Sequence, residues 1–418
     1  MTPSIAADQV SYADLYARWE QGNWRATEID LTRDRDQWEH EFTEVERRGA
    51  LWTYSLFFHG EDAVADNLSP FIDAAPREEQ KYFLATQQVD EARHAVLFAR
   101  FMREVAGTSP DIGSALNETR PRLTWGFRKV FERLDRMADE LRRDRSRPKL
   151  AQAITLYHLV IEALLAQPGQ HFIEEGLTRR DLLAGFREGI GNVARDEQRH
   201  IAFGVKMIAD LVREDPDCEP AIGDLLREVL PFTVAVFVPP DWDERYVTSF
   251  GFTLEDIYTQ GAEAMEGRLR AAGLDPGSMR LGLPFDMPAD ARARRGLALL
   301  RAGYLGEPNG GVKPDREATA MLFDGLRRQV DASVAPGATI QWDFSDAEPW
   351  HLRVAKGDGP TAVSPGRAQD PDLTFHCRLS DWVDTAAGRT EPWHALLHGK
   401  VRPTGRLRML IRAPKLFR

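Results

Sequence analysis

Two stretches decide the fold of this chain, Asp90-Glu91-Ala92-Arg93-His94 and Asp196-Glu197-Gln198-Arg199-His200. Each contains Glu-x-x-His, which on an α-helix puts a carboxylate and an imidazole one turn apart on the same face. Two such pairs, with one lone Glu from each of two further helices, form a carboxylate-bridged dinuclear metal site in a four-helix bundle. The sequence therefore predicts six metal ligands: Glu61, Glu91, His94, Glu162, Glu197 and His200.

The surroundings of these residues are more specific than the motif itself, which occurs four times in the chain. Glu61 and Glu162 lie in stretches that are apolar on most sides, and a buried carboxylate needs a partner or a metal. The six residues also follow the order of two helix pairs joined by a long crossover. The alternative, surface glutamates with satisfied core histidines, would leave four carboxylates buried without partners.

Two further Glu-x-x-His motifs lie near the carboxy terminus, at Glu348-Pro-Trp-His351 and Glu391-Pro-Trp-His394. No lone Glu on a companion helix accompanies either of them. We therefore interpret both motifs as turn or helix-start elements without a metal.

Length and composition limit the class of protein. A chain of 418 residues exceeds one usual domain, and an apolar fraction of 43% is that of a globular protein. A net charge of −11, without a basic patch, argues against a nucleic-acid partner. Two cysteines are too few for a disulfide framework. With neither a signal peptide nor an apolar run of about 20 residues, we expect a cytoplasmic protein without a transmembrane segment.

The chain changes character at Gly273. Before it, apolar residues recur every three or four positions, as they do in helices. After it come glycine and proline, one helix, and short alternating stretches that are typical of half-buried strands. The sequence therefore predicts a mainly α protein with a helical-bundle domain at 1–275, a linker at 276–314 and a smaller α+β domain at 315–418.

Charge and ligand type favour iron or manganese at the predicted site. Two divalent ions are neutralised by four glutamates, and two imidazoles complete a nitrogen and oxygen set with positions open for dioxygen. The ligand set does not distinguish an Fe/Fe pair from a Mn/Fe pair. Asp196 is a candidate to orient a histidine ligand, whereas Asp90 has a solvated position as its alternative.

The motifs resemble the small-subunit family of class I ribonucleotide reductase, and more closely its branch of ligand-binding oxidases. The likeness covers about residues 20–275. It is carried by Glu28-Ile-Asp-Leu-Thr-Arg-Asp-Arg-Asp-Gln-Trp38, Gly60-Glu61-Asp-Ala-Val64, Glu91-Ala-Arg-His94, Tyr157 with Glu162, and Asp196-Glu-Gln-Arg-His200. The resemblance implies a ferritin-like bundle with two metal ions and dioxygen as a co-substrate.

Three residues separate the oxidase branch from the reductase subunits. A reductase subunit has a radical-bearing tyrosine four residues after the first histidine, where this chain has Phe98. The oxidase branch carries a valine three residues after the first ligand and a tyrosine five before the third carboxylate, and these are Val64 and Tyr157 here. The resemblance implies that the metal site joins Val64 and Tyr157 by an ether cross-link, with Phe98 beside the site.

Residues 312–418 resemble the sterol carrier protein type-two fold. The likeness is carried by Asp372-Leu-Thr-Phe375, Ser380-Asp-Trp-Val-Asp384, Ala387-Gly388-Arg389 and Leu396-Leu-His-Gly-Lys400. It implies an apolar tunnel that binds lipids or other hydrophobic molecules.

Together these observations predict a dinuclear-metal oxidase or oxygenase that uses dioxygen to oxidise a C–H bond of a hydrophobic or fatty-acid-like molecule. The sequence does not identify its electron donor, and the resemblance implies a homodimer. One alternative is a lipid-binding or carrier protein whose metal centre is structural or sensing. A less favoured alternative is a reductase small subunit, because Phe98 replaces the radical tyrosine.

Overall fold

The structure is a computed structural model that describes residues 10–108, 111–307, 311–357 and 359–417. The chain forms two compact units. The first extends to residue 222 and includes 236–274, and the second consists of 223–235 with 275–418.

Helices build the first unit. They are α1 (Tyr12–Gln21), α2 (Thr32–His40), α3 (Glu44–Asn67), α4 (Ser69–Ala74), α5 (Glu78–Glu104), α6 (Ile112–Thr119), α7 (Trp125–Arg143), α8 (Arg147–Ile154), α9 (Gln167–Arg180), α10 (Ala184–Glu214), α11 (Cys218–Thr233, whose second half lies in the second unit), α12 (Arg245–Thr248) and α13 (Leu254–Ala271). Between α8 and α9 the helix continues as a π-helix, Thr155–Ala166. Short 3-10 turns lie at Ala26–Glu28, Arg120–Arg122 and Pro240–Trp242.

The four helical segments that carry the predicted ligands are α3, α5, the π-helix and α10. Helix α3 begins at a capping box, in which the Thr43 hydroxyl and the Glu46 carboxylate each accept a backbone N–H of the other residue. Gly204 lets α10 approach the π-helix closely, because a Cβ at this position would lie 2.2 Å from the Cβ of His158. These contacts hold the segments in register around their polar centre.

A distant residue caps helix α10. The residue before the helix, Leu183, has φ of 49° and no side chain that can cap it. Asp34 on α2 instead accepts the backbone N–H groups of Gly185 and Phe186, at 3.0 and 2.6 Å. The carboxylate satisfies two donors that a helix start leaves open and complements the helix dipole. The amino-terminal segment therefore fixes the start of a helix that carries two predicted ligands.

One helix in the described part of the chain, Arg147–Arg180, is long and apolar enough to cross a membrane by length and composition. Of its most apolar window, 78% is buried inside the protein. Burial on this scale is what a core helix of a bundle requires.

The second unit contains a five-stranded sheet in the order β3-β2-β1-β4-β5. Its strands are β1 (Thr339–Phe344), β2 (Trp350–Arg353), β3 (Ala362–Pro365), β4 (Leu373–Cys377) and β5 (Val401–Gly405), and β1 pairs with β4 in parallel while the other pairs are antiparallel. Its complete helices are α14 (Ala289–Arg301), α15 (Arg316–Gln329), α16 (Leu379–Ala386), α17 (Pro392–Leu397) and α18 (Leu407–Leu416). Phe323 stacks on Trp350 and meets Trp342 edge-on in the core of this unit.

The predicted fold class, a helical bundle followed by an α+β domain, is confirmed. The segment 276–314 differs from the predicted linker, because α14 occupies its middle. Ala293, Leu297 and Leu300 are buried on one side of that helix. Their apolar stripe is only two turns long and lies between glycines and prolines, which hid it in the sequence.

Candidate metal centre

The six predicted ligands lie together among the four segments. Helix α3 provides Glu61, α5 provides Glu91 and His94, the π-helix provides Glu162, and α10 provides Glu197 and His200. All six are buried, with side chains at most 6% exposed.

Each histidine presents its Nδ1 atom to three carboxylates. His94 Nδ1 lies 3.3 Å from Glu61, 3.4 Å from Glu91 and 3.7 Å from Glu197. His200 Nδ1 lies 3.2 Å from Glu91, 3.3 Å from Glu162 and 3.9 Å from Glu197. Glu91 and Glu197 therefore approach both histidines, as two bridging carboxylates would, while Glu61 and Glu162 each approach one.

The arrangement fits two metal ions. One ligand atom each from Glu61, Glu91, His94 and Glu197 lie within 4.8 Å of one another, and so do atoms from Glu91, Glu162, Glu197 and His200. Glu162 Oε2, Glu197 Oε2 and His200 Nδ1 are buried without a hydrogen-bond partner. Buried polar atoms without partners are costly, so these atoms are suited to bind cations.

The electrostatics of the four buried glutamates favour bound cations. Burial raises the pKa of Glu61 to about 7 and that of Glu162 to about 8. Burial and the neighbouring carboxylates raise the pKa of Glu197 well above its ordinary value. For Glu91 the effect of burial is outweighed by the two neighbouring imidazoles, His200 and His94, and its pKa is low. Four charged carboxylates at this site therefore need cations to balance them.

Asp90 and Asp196 both lie behind the histidines. The Nε2 atom of His94 lies 3.2 Å from Asp196 Oδ2, and the Nε2 atom of His200 lies 3.1 Å from Asp90 Oδ2. Asp90 is fully buried, so the solvated position that the sequence left open for it is wrong. Since each Nδ1 faces the glutamates, each Nε2–H is free to donate to an aspartate, which fixes the tautomer.

Four residues that the sequence analysis did not select contact these two aspartates. The indole N–H of Trp19 donates to Asp90 at 2.9 Å, and that of Trp24 donates to Asp196 at 2.8 Å. Arg93 and Arg199 each contact both aspartates. The two arginines neutralise the two aspartates, which leaves the four glutamates to balance bound metal. An Asp and an Arg stand at the same places in both motifs, and this repetition was an available signal.

Gln87 is a further residue that the sequence analysis missed. Its amide nitrogen donates to Glu162 Oε1 at 2.8 Å, and its amide oxygen lies 3.1 Å from His158 Nε2. Burial lowers the pKa of His158 to about 3, so this histidine is neutral and donates to Gln87. Gln87 precedes Glu91 by four residues and hence shares its helix face.

The other predicted residues occupy different environments. The Tyr157 hydroxyl donates to Glu91 Oε1 at 2.6 Å, and burial raises its pKa. Val64 is buried on α3, one turn after Glu61. Phe98 stacks on Phe57, with ring centroids 5.9 Å apart, within the apolar core.

A small apolar cavity lies against the site, and we call it the near cavity. Its wall includes all four glutamates. The rest is mainly apolar and includes Leu56, Phe57, Val64, Phe127, Phe131, Ile161, Leu165, Val236 and Phe237. Gly60 also lines it, and a Cβ there would have only Phe131 within 4 Å, at 3.5 Å. The arrangement can thus hold an apolar molecule directly beside the carboxylates.

Solved structures of R2-like ligand-binding oxidases are similar to this chain. The oxidase from Sulfolobus acidocaldarius is 24% identical with a TM-score of 0.52, over 62% of this chain and 91% of that one. A variant of an R2-like ligand-binding oxidase with an aerobically reconstituted Mn/Fe cofactor is 23% identical with a TM-score of 0.54, over 64% of this chain and 94% of that one. These likenesses show the ferritin-like fold of the bundle.

Both predicted family resemblances are confirmed. Residues 328–418 match the SCP-2 sterol transfer family. Residues 7–231, which are more than half of the chain, match the family described as ribonucleotide reductase, small chain. By that match, the chain belongs to the ribonucleotide reductase small-chain family.

Proposed function

We propose that this protein is a dinuclear-metal oxidase or oxygenase that uses dioxygen to oxidise a C–H bond of a hydrophobic or fatty-acid-like molecule. The observation that carries the proposal is the near cavity, whose wall combines four buried glutamates with aliphatic and aromatic side chains. A structural metal site needs no such space beside it.

Two metal ions, Fe/Fe or Mn/Fe, would be held by Glu61, Glu91, His94, Glu162, Glu197 and His200. When bound, they would supply the redox chemistry that reduces dioxygen and oxidises the substrate. The similar oxidase with a Mn/Fe cofactor supports the heterodinuclear pair, and the nitrogen and oxygen ligand set is compatible with both.

The residues around the site orient the predicted metal ligands and exclude water from the near cavity. Asp90 and Asp196 hold the histidine rings, and Gln87 holds Glu162 through its amide nitrogen. The aromatic rings of Phe127 and Phe131 stack on each other at 4.2 Å in the cavity wall. A hydrocarbon chain would displace water from this apolar space, which favours its binding and keeps water from the reacting carbon.

We also propose the ether cross-link between Val64 and Tyr157. Val64 lines the near cavity, and the Tyr157 hydroxyl reaches the same site through its hydrogen bond to Glu91. Its formation would break one valine C–H bond and the tyrosine O–H bond and form one C–O bond. The two electrons and two protons released would pass to dioxygen. Glu91 accepts the tyrosine hydrogen bond, so the phenolic proton can pass through this carboxylate on its way to dioxygen.

For the carboxy-terminal part, residues 315–418, we propose binding of a hydrophobic molecule. The SCP-2 match supports this, and so do apolar side chains on α17 and α18 that remain exposed, among them Leu397, Leu407 and Ile411. Transfer of a fluorescent lipid between vesicles in the absence of metal would favour the carrier alternative, in which the metal centre does not turn over.

Metal analysis and turnover test the proposal together. Protein supplied aerobically with iron and manganese should retain two ions per chain, and Glu91→Ala with Glu197→Ala should retain none. With an electron donor and a fatty acid, the wild type should consume oxygen and form oxidised product over many turnovers. Retention of both ions by the double variant would contradict the ligand assignment. A single turnover together with repeated lipid exchange would favour the carrier alternative over the enzyme.

A further inference from the structure

A second apolar cavity lies next to the near cavity, and the proposed chemistry does not use it. We call it the far cavity, and its wall includes Ala50, Trp52, Tyr54, Phe172, Phe250 and Ile257. The far cavity takes uncharged, mainly apolar groups, because its wall is aromatic and aliphatic.

A thin partition of side chains separates the two cavities. Phe237 lines both of them, Phe57 lines the near cavity, and Gly169 lines the far cavity. A Cβ added at Gly169 would lie 2.6 Å from Phe57 Cζ and 3.6 Å from Phe237 Cζ. The two rings and the Gly169 backbone therefore meet at one place. A side chain at Gly169 would force the Phe57 ring to shift.

The two rings of the partition differ in their freedom to move. Phe57 is buried in the core and stacks on Phe98 with an interplanar angle of 7°. Phe237 is half-buried and lies in the turn that follows α11, four residues after its last residue, Thr233. A half-buried side chain in a turn changes rotamer more easily than one held in a packed core. Phe237 is thus the part of the partition that can open.

We propose that the far cavity is the distal part of the ligand-binding site, entered past Phe237 by the end of a long hydrocarbon chain. This inference rests on the proposed function, since the near cavity must bind the head of the same ligand. Phe237 and Gly169 then determine chain length: short ligands end at the partition, and long ligands cross it.

Binding of two straight-chain fatty acids of different length, decanoate and stearate, tests the inference on the metal-loaded full-length protein. Ala50→Leu and Ile257→Phe each add bulk to the far cavity. Gly60→Leu adds bulk to the near cavity and is the matched control. Calorimetry gives the dissociation constants, while circular dichroism and metal content show that each variant is folded and loaded. The two far-cavity variants are independent, so a failure of one to fold leaves the other.

The far-cavity variants should weaken stearate binding about tenfold or more, the loss expected when a few methylenes are no longer buried, and should change decanoate binding by less than about twofold. Gly60→Leu should weaken the binding of both acids. Phe237→Ala, which removes the movable ring, should speed stearate association in stopped-flow measurements more than it speeds decanoate association.

Two results overturn the inference. If the far-cavity variants weaken both acids equally, or leave stearate binding unchanged, while the wild type binds both, the far cavity is no part of the site and the proposed function stands. If the wild type binds neither acid, the near cavity does not hold such a ligand, and the inference falls together with that part of the proposed function.

Discussion

The Asp90 carboxylate on α5 lies 3.1 Å from Nε2 of His200 on α10. Asp90 therefore orients the histidine of the other helix, and not His94 on its own helix. The relation is reciprocal, because Asp196 on α10 lies 3.2 Å from His94 on α5. Each Asp-Glu-x-x-His stretch therefore provides the histidine of one half of the site and the aspartate that holds the histidine of the other half. The two motifs depend on each other, and neither half of the site is complete on one helix.

This symmetry predicts that Asp90→Asn and Asp196→Asn weaken metal binding to a similar extent, by about tenfold to a hundredfold each. An amide can present its NH₂ group to the imidazole and disturbs the tautomer that a carboxylate fixes. Chelator competition measures the dissociation constants. Asp62→Asn is the matched control, because Asp62 follows a predicted ligand directly but is not among the grouped ligand atoms. A loss confined to Asp196→Asn would contradict the reciprocal arrangement.

Metal affinity should rise with pH between about 6 and 8. In the metal-free protein, burial raises the pKa of Glu61 to about 7 and of Glu162 to about 8, so both are protonated at pH 6. Metal binding needs the carboxylates and releases these protons, which opposes binding at low pH. Calorimetry in buffers of different ionisation enthalpy counts the protons released. Proton release that is the same at pH 6 and pH 8 would contradict this prediction.

The same two groups affect the stability of the metal-free protein in the opposite direction. The pKa values of Glu61 and Glu162 in the folded protein lie above their ordinary value of 4.5. Between pH 4.5 and these raised values, the folded state therefore holds more protons than the unfolded state. Their contribution to the free energy of unfolding therefore falls as pH rises through this window. Bound metal should consequently raise the melting temperature more at pH 8 than at pH 6, and Glu162→Gln should reduce that difference.

A cross-link between Val64 and Tyr157 should leave the chain two hydrogen atoms lighter after metal loading in air. Mass spectrometry of the intact chain and of its peptides detects the loss and locates it. Tyr157→Phe removes the oxygen atom of the ether and should abolish the mass change. Protein loaded without oxygen is the control and should keep its full mass. An unchanged mass after aerobic loading of the wild type would rule the cross-link out.

Phe98→Tyr should destabilise the protein by about 1–3 kcal/mol, because it buries a hydroxyl in an apolar cluster. Phe98 is fully buried between Phe57 and Phe186. Urea denaturation measures the change, and Phe98→Leu, which adds no hydroxyl, separates it from loss of ring packing. Electron paramagnetic resonance of the metal-loaded variant should show no stable tyrosyl radical. A stable radical would favour the reductase-subunit alternative.

Gly204→Ala should destabilise the protein by about 1–3 kcal/mol through overpacking. The added Cβ would lie 2.2 Å from the Cβ of His158, so α10 and the π-helix must separate. That separation moves Glu162 away from His200 and should weaken metal binding as well. Gly191→Ala on the same helix is the control, since its nearest neighbour is a side-chain oxygen of Glu174 at 3.7 Å. Equal destabilisation at both positions would contradict the overpacking at Gly204.

The sequence predicted where the six grouped residues meet because helical periodicity carries that information. Glu61 and Glu162 stand alone in apolar stretches, and the structure places both within reach of a histidine. Their role as metal ligands stays a prediction that the experiments above test.

Contacts between side chains of different helices were harder to predict from the sequence. Burial of Asp90 depends on Trp19 of α1 and Arg199 of α10, and helical periodicity within one segment does not reveal such partners. The capping of α10 by Asp34 was hidden for the same reason, since 151 positions separate the two residues. The partition at Phe237 depends on the course of a turn, which has no periodic signal.

The π-helix Thr155–Ala166 brings one last consequence. Tyr157 and Glu162 are five positions apart, and in an α-helix such residues point about 140° away from each other around the axis. A π-helix bonds residue i to i+5, so the same two residues come into line along one face. The wider winding therefore aligns the phenol with the carboxylate, and deletion of a single residue within it would turn one of them away from the metal site.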